Sequence, residues 1–439
     1  MRLPAFLRPR RKLPSGPAPA ASSALGVLPE LPAFDWEDRV DPRAGLRGGD
    51  ALATALDSDE THDAVLSALE PLLSPGPEAF EHPTDTAARL FCLIGVLGAR
   101  DLSPATRARV SAEVQRSADW LITNLAPAGP RRVMQCAALV LAGLGLPGLQ
   151  GAGRWWSYGL SQLGRDFPAV LHPDGGPRDG SAALLLRQLQ FLWPVVQVCE
   201  GAGVVLPPEL LPALGRASLV LRDIGAGGPL PPLGEDPYEP LLGADTAWPL
   251  AQALARSWED PVGPPGQSKD WELRPLRETG WMVLHAKLRG KVSRAVVDLH
   301  SGQVTWDLDG QPVLEGEARG CMSRPADWRA EWKVARVDGR CVTVIFTETG
   351  RDGEWTRELR AEGGRLIVTD RIEGASLRAR FLMGEGMVLE KGDKPGQWTA
   401  SGPLKLRIAL DTEQATWVGE DRLLAGNLGA TKHRSRFEL

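Results

Sequence analysis

The chain has 439 residues, of which 43% are hydrophobic and 24% charged, a composition typical of globular proteins. This length exceeds what one compact core accommodates and predicts two or three domains. A net charge of -5 at pH 7 provides no electrostatic basis for nucleic-acid binding, and no apolar run approaches the ~20 residues that span a bilayer. The sequence therefore predicts neither a nucleic-acid partner nor a membrane span.

The N-terminal stretch MRLPAFLRPRRKLPSGPAPAASS is rich in Pro and Ala and carries several basic residues. It lacks the sustained apolar segment of a secretory signal peptide, so residues 1–30 are predicted to form a flexible basic tail. The five cysteines show no CxxC or other metal-ligand spacing, and Cys92, Cys136 and Cys199 are expected to be buried helical thiols. A reducing compartment and a cytoplasmic location are the corresponding expectations.

Apolar residues recur at helical spacing from about residue 48 to residue 256, in segments such as TAARLFCLIGVLGA, MQCAALVLAGLGL and ALLLRQLQFLWPVVQVCEG. In DLSPATRARV, Ser103 can cap a helix whose first position is Pro104. Gly and Pro separate the helical segments, and no alternating pattern typical of strands interrupts them. Residues 31–258 are therefore predicted to form a helical domain.

From about residue 279 the apolar period changes to two, as in EWKVARVDGRCVTVIFTE. Turn pairs that suit tight hairpins separate the alternating segments: Asp338-Gly339, Asp352-Gly353 and Gly363-Gly364. Residues 276–439 are predicted to form an antiparallel β domain, with a sandwich as the expected form. The Pro- and Gly-rich residues 259–275 are predicted to be a linker, and the whole chain a mixed α+β protein.

The helical run AALVLAGLGLPGLQGAGRWWSYGLSQLGRDF leads to the turn HPDGGPRDGS. This segment resembles the heparinase II/III-like (alginate lyase-like) polysaccharide lyases, in which such a run leads to a turn of the form DGGHxERSxxYH. Other stretches are similar to elements of the same family in the same order: FDWEDRVDPRAG, EHPTDTAARLFCLIGVL, ETGWMVLHA and VDLHSGQVTWDLDGQPVL. The resemblance implies an incomplete α/α toroid followed by an antiparallel β-sandwich, with a polysaccharide or oligosaccharide as the partner.

The resemblance also implies β-elimination of a uronate-containing glycan. The proton removed lies α to a carboxylate, so the site must neutralise that carboxylate and supply a base and an acid. Four motif positions match: Asp174, Gly175, Gly176 and Ser181. The motif His, Glu and Arg positions hold Pro177, Asp179 and Gly180, and the Tyr and following His positions hold Leu184 and Leu185. Since leucine transfers no proton, the sequence favours a catalytically degenerate homologue that binds a glycan or acts as a scaffold, with another protein as a further partner.

Some side chains could still serve a relocated active site. Arg131 lies where GPR replaces the family's GNH, and its guanidinium could neutralise a carboxylate. His172 and His300 are candidate bases, and Tyr238 is a candidate acid. Asp298 and His300 share one face of a strand and could orient a base or contribute to a metal site, although two ligands are a weak metal signal and no cofactor is expected. The remaining histidines receive no role and are expected at surface or helix positions: His62, His82, His285 and His433.

Sugar binding is predicted for side chains around the turn. Trp155 and Trp156 could stack on sugar rings, with core packing as the more common alternative for a tryptophan. Asp174 and Asp179 could hydrogen-bond a glycan. Two further acidic residues complete a third hypothesis, a glycoside hydrolase with paired carboxylates: Glu235 and Asp236. Three functions thus stay open, namely a degenerate lyase homologue, an active lyase with relocated groups, and a hydrolase.

Overall fold

The structure is a computed structural model of the chain. It describes 83–99, 103–226, 265–299, 303–315, 329–338, 340–350, 353–373, 377–382, 388–391, 397–401, 406–410, 415–418, 423–428 and 432–438, with the single residues 70, 73, 230, 231, 233 and 393. The predicted tail, residues 1–30, and the first part of the predicted linker lie outside these ranges.

Six helices follow one another in the described part of the chain: α1 (Pro83–Ala99), α2 (Pro104–Thr123), α3 (Pro130–Gly145), α4 (Ala152–Ala169), α5 (Ala182–Gly201) and α6 (Leu210–Gly225). The predicted start of α2 is confirmed, because Thr106 N donates to Ser103 Oγ at 3.2 Å and Pro104 occupies the first turn. The three helical cysteines are buried, as expected, and burial raises the pKa of Cys136 and of Cys199 to about 12.

Helices α3 and α4 form a closely packed antiparallel pair. A Cβ added to Gly143 would lie 2.4 Å from the carbonyl oxygen of Ala152, and one added to Gly159 would lie 2.8 Å from that of Cys136. Neither position can accept a side chain without moving a backbone. The apolar face of α3 is buried from Val133 to Gly143, so this pair forms the centre of the helical packing.

Helix α5 combines a length of 20 residues with a largely apolar composition. By length and composition alone it is long and apolar enough to cross a membrane, although most of its apolar window is buried inside the protein, as in the core helix of a globular domain. Leu185, Leu189 and Leu192 are completely buried. One such helix is weak evidence of a membrane span.

Among the residues described after α6 there are sixteen strands: β1 (Glu272–Leu276), β2 (Trp281–Leu288), β3 (Lys291–Asp298), β4 (Val304–Leu308), β5 (Gln311–Glu315), β6 (Arg329–Asp338), β7 (Cys341–Gly350), β8 (Gly353–Glu362), β9 (Arg365–Glu373), β10 (Leu377–Leu382), β11 (Val388–Lys391), β12 (Gln397–Ser401), β13 (Leu406–Leu410), β14 (Ala415–Val418), β15 (Leu423–Leu428) and β16 (Lys432–Glu438). All pair antiparallel, in sheets of order β1-β2-β3-β4-β5, β10-β15-β14 and β11-β12-β13-β16-β9-β8-β7-β6.

The five-stranded and eight-stranded sheets share one hydrophobic core, to which Met282, Trp306, Val344, Trp355 and Phe437 each contribute a buried side chain. Hairpins are present at all three predicted places, since Asp338 pairs with Cys341, Gly350 with Gly353 and Glu362 with Arg365. The predicted turn pair is confirmed only at Gly363-Gly364. Asp338 and Gly353, each predicted to lie in a turn, are instead paired strand residues, so those two turn predictions were displaced by one residue. The alternation read from the sequence therefore corresponds to real strands. Burial alternates along β8, as a half-buried strand requires, whereas β2, β3 and β4 are buried on both faces over most of their length.

The chain divides into two compact units. Among the described residues, the helical unit contains those up to Asp179 together with Ala183–Leu219, and the β unit contains Gly180–Ala182, those between Val220 and Glu235, and all those after Pro261. The architecture is mixed α+β. The toroid, the sandwich and the boundaries at 31, 258 and 276 stay predictions.

Candidate functional site

The turn between α4 and α5, which carries the motif resemblance, is held by its own backbone. His172 N donates to the carbonyl oxygen of Gly176 at 2.8 Å, and Gly175 N donates to that of His172 at 2.9 Å. Gly176 N donates to Asp174 Oδ1 at 3.2 Å. The Asp174 carboxylate therefore caps the bend from inside, as Asp does in many turns.

Gly175 allows this turn to lie directly against α6. Its φ is +94°, which L side chains rarely adopt, and an added Cβ would lie 2.6 Å from the carbonyl carbon of Arg216. The glycine is therefore required twice, once for its backbone conformation and once for the close approach. The matched glycines of the motif serve the shape of the bend.

Arg178 closes the other side of the turn. Its backbone N–H donates to the Val170 carbonyl at 2.9 Å, and its Nε donates to the Leu171 carbonyl at 3.0 Å. Leu171 and Pro177 form an isolated β-bridge. Asp179 is exposed and His172 half-buried. Asp174 and Arg178 are thus committed to holding the bend.

The two positions at which the family motif places proton-transferring groups lie at the start of α5. Leu185 is completely buried in the core, and Leu184 is half-buried. Neither side chain has a group that can donate or accept a proton. The bend thus keeps the four matching residues, whereas these two positions hold apolar side chains.

Arg131 is exposed in the first turn of α3, where the sequence predicts it. Its neighbour Arg132, which sequence reasoning missed, donates from Nε and a terminal nitrogen to the two carboxylate oxygens of Asp166, at 2.6 and 2.7 Å. The hydrogen bonds with Asp166 raise the pKa of Arg132 against the opposing effect of burial. Arg132 therefore joins α3 to α4, while Arg131 presents its charge at the surface.

The two predicted stacking residues lie inside the helical unit. Trp155 is completely buried, and its indole N–H donates to Asp119 Oδ1 at 3.0 Å. Trp156 is 7% exposed. Their rings are in van der Waals contact with protein, which agrees with the core-packing alternative. Tyr158, one turn along, is the exposed aromatic ring on α4, at 40%.

Asp298 ends β3 and is 2% exposed, with its backbone N–H donating to the Gln303 carbonyl at 3.0 Å. The predicted bases and acids that complete the relocated sites lie outside the described residues: His300, Tyr238, Glu235 and Asp236. Within the described ranges, no group of three His, Cys, Asp or Glu side chains could hold a metal ion.

His285 corrects one expectation from the sequence. Expected at a surface or helix position, it lies on β2 and is completely buried. Its Nε2 donates to the carbonyl oxygen of Asp223 on α6 at 2.7 Å, and burial, with the nearby Arg294, lowers its pKa to about 3. The alternate residues Met282 and Leu284 face the shared hydrophobic core, so His285 lies on the opposite face of β2, which is buried by the packing of α6.

Arg294 and Asp307 form a buried ion pair beside His285. Arg294 Nε donates to Asp307 Oδ2 at 2.7 Å, and another guanidinium nitrogen donates to the Ile224 carbonyl at the end of α6. Burial raises the pKa of Asp307 to about 6 against the attraction of Arg294. This polar cluster is enclosed by protein, so it serves to attach the last turn of α6 to the sheet.

No family model and no curated protein matches the chain. Solved structures do. The crystal structure of heparinase III superposes with a TM-score of 0.63 over 89% of this chain and 75% of that one, at 12% identity. Heparan sulfate lyase HepC from Pedobacter heparinus superposes with a TM-score of 0.53 over 90% and 75%, also at 12% identity. The chain therefore has a polysaccharide-lyase fold, and at this identity the likeness concerns the fold alone.

Proposed function

We propose that this protein is a catalytically degenerate relative of the polysaccharide lyases that binds an acidic glycan. The observation that carries the proposal is the pair Leu184 and Leu185. Elimination needs a base and an acid on the two sides of one bond, and these two motif positions hold apolar side chains, one of them in the core.

The remaining polar groups of the bend support the same conclusion. Asp174 caps the turn backbone, and Arg178 binds the Leu171 carbonyl, so neither is positioned to move a substrate proton. The bend nevertheless keeps its shape, since Gly175 has a φ of +94°, which other residues rarely adopt. Retention of the shape without the reactive groups favours binding.

Arg131 is the group we assign to glycan recognition in the helical unit. It is exposed, and its planar guanidinium can pair with a carboxylate through two hydrogen bonds. Arg132 cannot replace it, because its guanidinium already forms this arrangement with Asp166. Asp179, also exposed, can accept hydrogen bonds from sugar hydroxyls.

The test combines turnover and binding over one panel of uronate polysaccharides, such as alginate, polygalacturonate, hyaluronan and heparan sulfate. We expect measurable binding, no rise in the ultraviolet absorbance of unsaturated uronate products, and no new reducing ends. Arg131→Gln should weaken binding about fivefold or more, as loss of a charge-assisted hydrogen bond does. The exposed Arg154 on α4 provides the matched control, and Arg154→Gln should leave binding unchanged.

Other outcomes identify the alternatives. Unsaturated products that disappear in His300→Ala or Tyr238→Phe would establish an active lyase with relocated groups and overturn the proposal. Reducing ends without unsaturation would indicate a hydrolase that uses the acidic loop residues. Absence of both binding and turnover would also refute glycan binding and leave a scaffold for another protein.

A further inference from the structure

The β unit contains an open cleft of about 1050 Å³ at one end of its sheets, which we call the hairpin cleft. The β2–β3 turn comes from the five-stranded sheet, and the β6–β7 and β8–β9 turns come from the eight-stranded sheet. The segment that precedes β1 closes the remaining side. Its lining residues are Gln267, Lys269, Asp270, Lys287, Leu288, Arg289, Gly290, Arg340, Glu362, Gly363, Gly364 and Arg365.

The lining carries a positive excess, with five cationic and two acidic side chains, in a protein whose net charge is -5. Both carboxylates already have cationic partners. Asp270 pairs with Arg340 at 3.5 Å, and Glu362 pairs with Arg360, which lies outside the lining, at 3.3 Å.

Arg340 pairs with Asp270, and Arg365 also has an interaction partner, which leaves three cations to act on a ligand. Within the described part of the chain, no carboxylate lies within ion-pair distance of Lys269, Lys287 or Arg289, and all three are exposed. Cations gathered at a concave surface raise the local concentration of anions. The cleft is therefore electrostatically suited to an anionic ligand.

The β2–β3 turn holds its arginine in an unusual conformation. Arg289 has a φ of +53° and Gly290 one of +83°, the pattern of a two-residue hairpin in which Asn or Asp normally precedes Gly. The β4–β5 hairpin follows the usual rule, with Asp309 at +54° before Gly310. A large side chain at positive φ costs free energy, and such strain tends to occur at functional positions.

The walls of the cleft are fixed by hydrogen bonds to the core. The indole N–H of the buried Trp271 donates to the Gly363 carbonyl at 2.8 Å, which holds the β8–β9 turn against the segment before β1. Lys287 N donates to the Ser268 carbonyl at 2.6 Å, which holds that segment against β2. The backbone segments that carry these cations are thus already fixed before a ligand binds. Binding therefore loses little conformational entropy.

We propose that the hairpin cleft is a second glycan-binding site, on the β unit, that takes a short segment of an anionic oligosaccharide through its carboxylates or sulfates. Its volume of about 1050 Å³ slightly exceeds the roughly 300–1,000 Å³ typical of small-molecule pockets, which leaves room for more than one sugar ring. Lys269, Lys287 and Arg289 supply the charge. None of the lining residues is aromatic, so stacking of nucleic-acid bases or of neutral sugar faces has no platform here.

This site goes beyond the function proposed above, because it shares no residue with the helical unit and is tested by different variants. The probes are a heparin-derived hexasaccharide, which carries sulfates and carboxylates, and oligogalacturonate of the same length, which carries carboxylates only. Calorimetric titration of the full-length chain at low and moderate salt measures each affinity. Single-stranded DNA of comparable charge is titrated in the same way, to test whether the cleft prefers a nucleic acid to a glycan.

Arg289→Asn is the informative variant, because Asn suits the first position of this turn while the charge is lost. We expect the midpoint of thermal unfolding to be unchanged or higher and the affinity for at least one probe to fall about five- to tenfold. Lys291→Gln is the matched control: Lys291 is exposed on the same hairpin but does not line the cleft, so its replacement should have little effect. The response to salt should also weaken in Arg289→Asn, since one fewer ion contact is made.

Three outcomes would overturn the inference: equal affinities of the wild type and Arg289→Asn, an equal loss in Lys291→Gln, and tighter binding of DNA than of either oligosaccharide. If Arg131→Gln abolishes binding while Arg289→Asn does not, the helical-unit proposal stands and this one fails. If Arg289→Asn abolishes binding while Arg131→Gln does not, the hairpin-cleft proposal stands and the helical-unit proposal fails.

Discussion

Acid should weaken the β unit through one buried histidine. His285 is completely buried, and its Nε2–H donates to the Asp223 carbonyl, whereas its Nδ1 has no hydrogen-bond partner. A second proton would therefore be added at Nδ1, in a site without an acceptor. The charged groups around the ring also oppose it: Arg294 on β3, Arg274 on β1 and Arg222 on α6 each lower its pKa.

The size of the effect follows from the difference between the folded and unfolded pKa. Burial lowers the pKa of His285 from 6.5 to about 3, so below pH 6.5 the unfolded chain takes up a proton that the folded chain does not. The free energy of unfolding is intact above pH 6.5 and falls by ~1.4 kcal/mol for each pH unit until about pH 3. Between pH 7 and pH 5 this amounts to about 2 kcal/mol.

The titration of Asp307 changes the stability in the opposite direction, so its contribution must be distinguished from that of His285. Burial raises its pKa to about 6, against the attraction of Arg294, so its protonation below pH 6 favours the folded state. His285→Gln removes the titration of the ring while an amide N–H can still donate to the Asp223 carbonyl. Because both proteins keep Asp307, its contribution cancels when their pH dependences are compared.

The assay is urea unfolding of both proteins at pH 7, 6 and 5, followed by hydrogen exchange of peptides from β2 and β3. These peptides report on the β unit alone, which matters because a chain of two units need not unfold in one step. His285→Gln should lose about 2 kcal/mol less than the wild type between pH 7 and pH 5. Parallel pH dependences of the two proteins would refute the argument that the neutral ring is buried here.

The remaining predictions concern packing. Gly175→Ala should destabilise the helical unit by ~2 kcal/mol or more, measured by urea denaturation, because the Cβ would overlap the α6 backbone at a positive φ; a smaller change than that of an exposed Gly→Ala control, Gly153→Ala, would contradict the turn geometry. Arg357 on β8 and Asp370 on β9 form a buried ion pair at 2.6 Å. By urea denaturation, Asp370→Ala should cost ~3–5 kcal/mol, because it removes the carboxylate that pairs with the buried guanidinium, and Arg357→Met with Asp370→Leu should recover part of that loss. Trp155→Phe should cost ~1–2 kcal/mol without altering glycan binding, since it removes a buried hydrogen bond and not a stacking surface.

The sequence determined the order and type of the elements. The apolar periods of 3.6 and 2 predicted helices and then strands, Ser103 and Pro104 predicted the start of α2, and Gly363-Gly364 predicted a hairpin turn that the pairing of Glu362 with Arg365 confirms. These signals succeed because each is local: a cap acts within one helical turn, and a hairpin turn acts between adjacent residues. The leucines at the two motif positions, on which the proposal of a degenerate lyase relative rests, could also be identified from the sequence, because residue identity does not depend on the fold.

Tertiary structure decided which polar groups are exposed and which are buried in side-chain pairs. Arg131 and Arg132 are adjacent and chemically alike, yet only Arg132 meets Asp166, 34 residues away on α4. Trp155 is buried and His285 enclosed because other helices and strands cover them. The hairpin cleft draws on four separate segments. These contacts join residues that are far apart in the sequence. Many residues of the same type could form each contact, so the sequence does not show which one does, and only the folded chain brings a particular pair together.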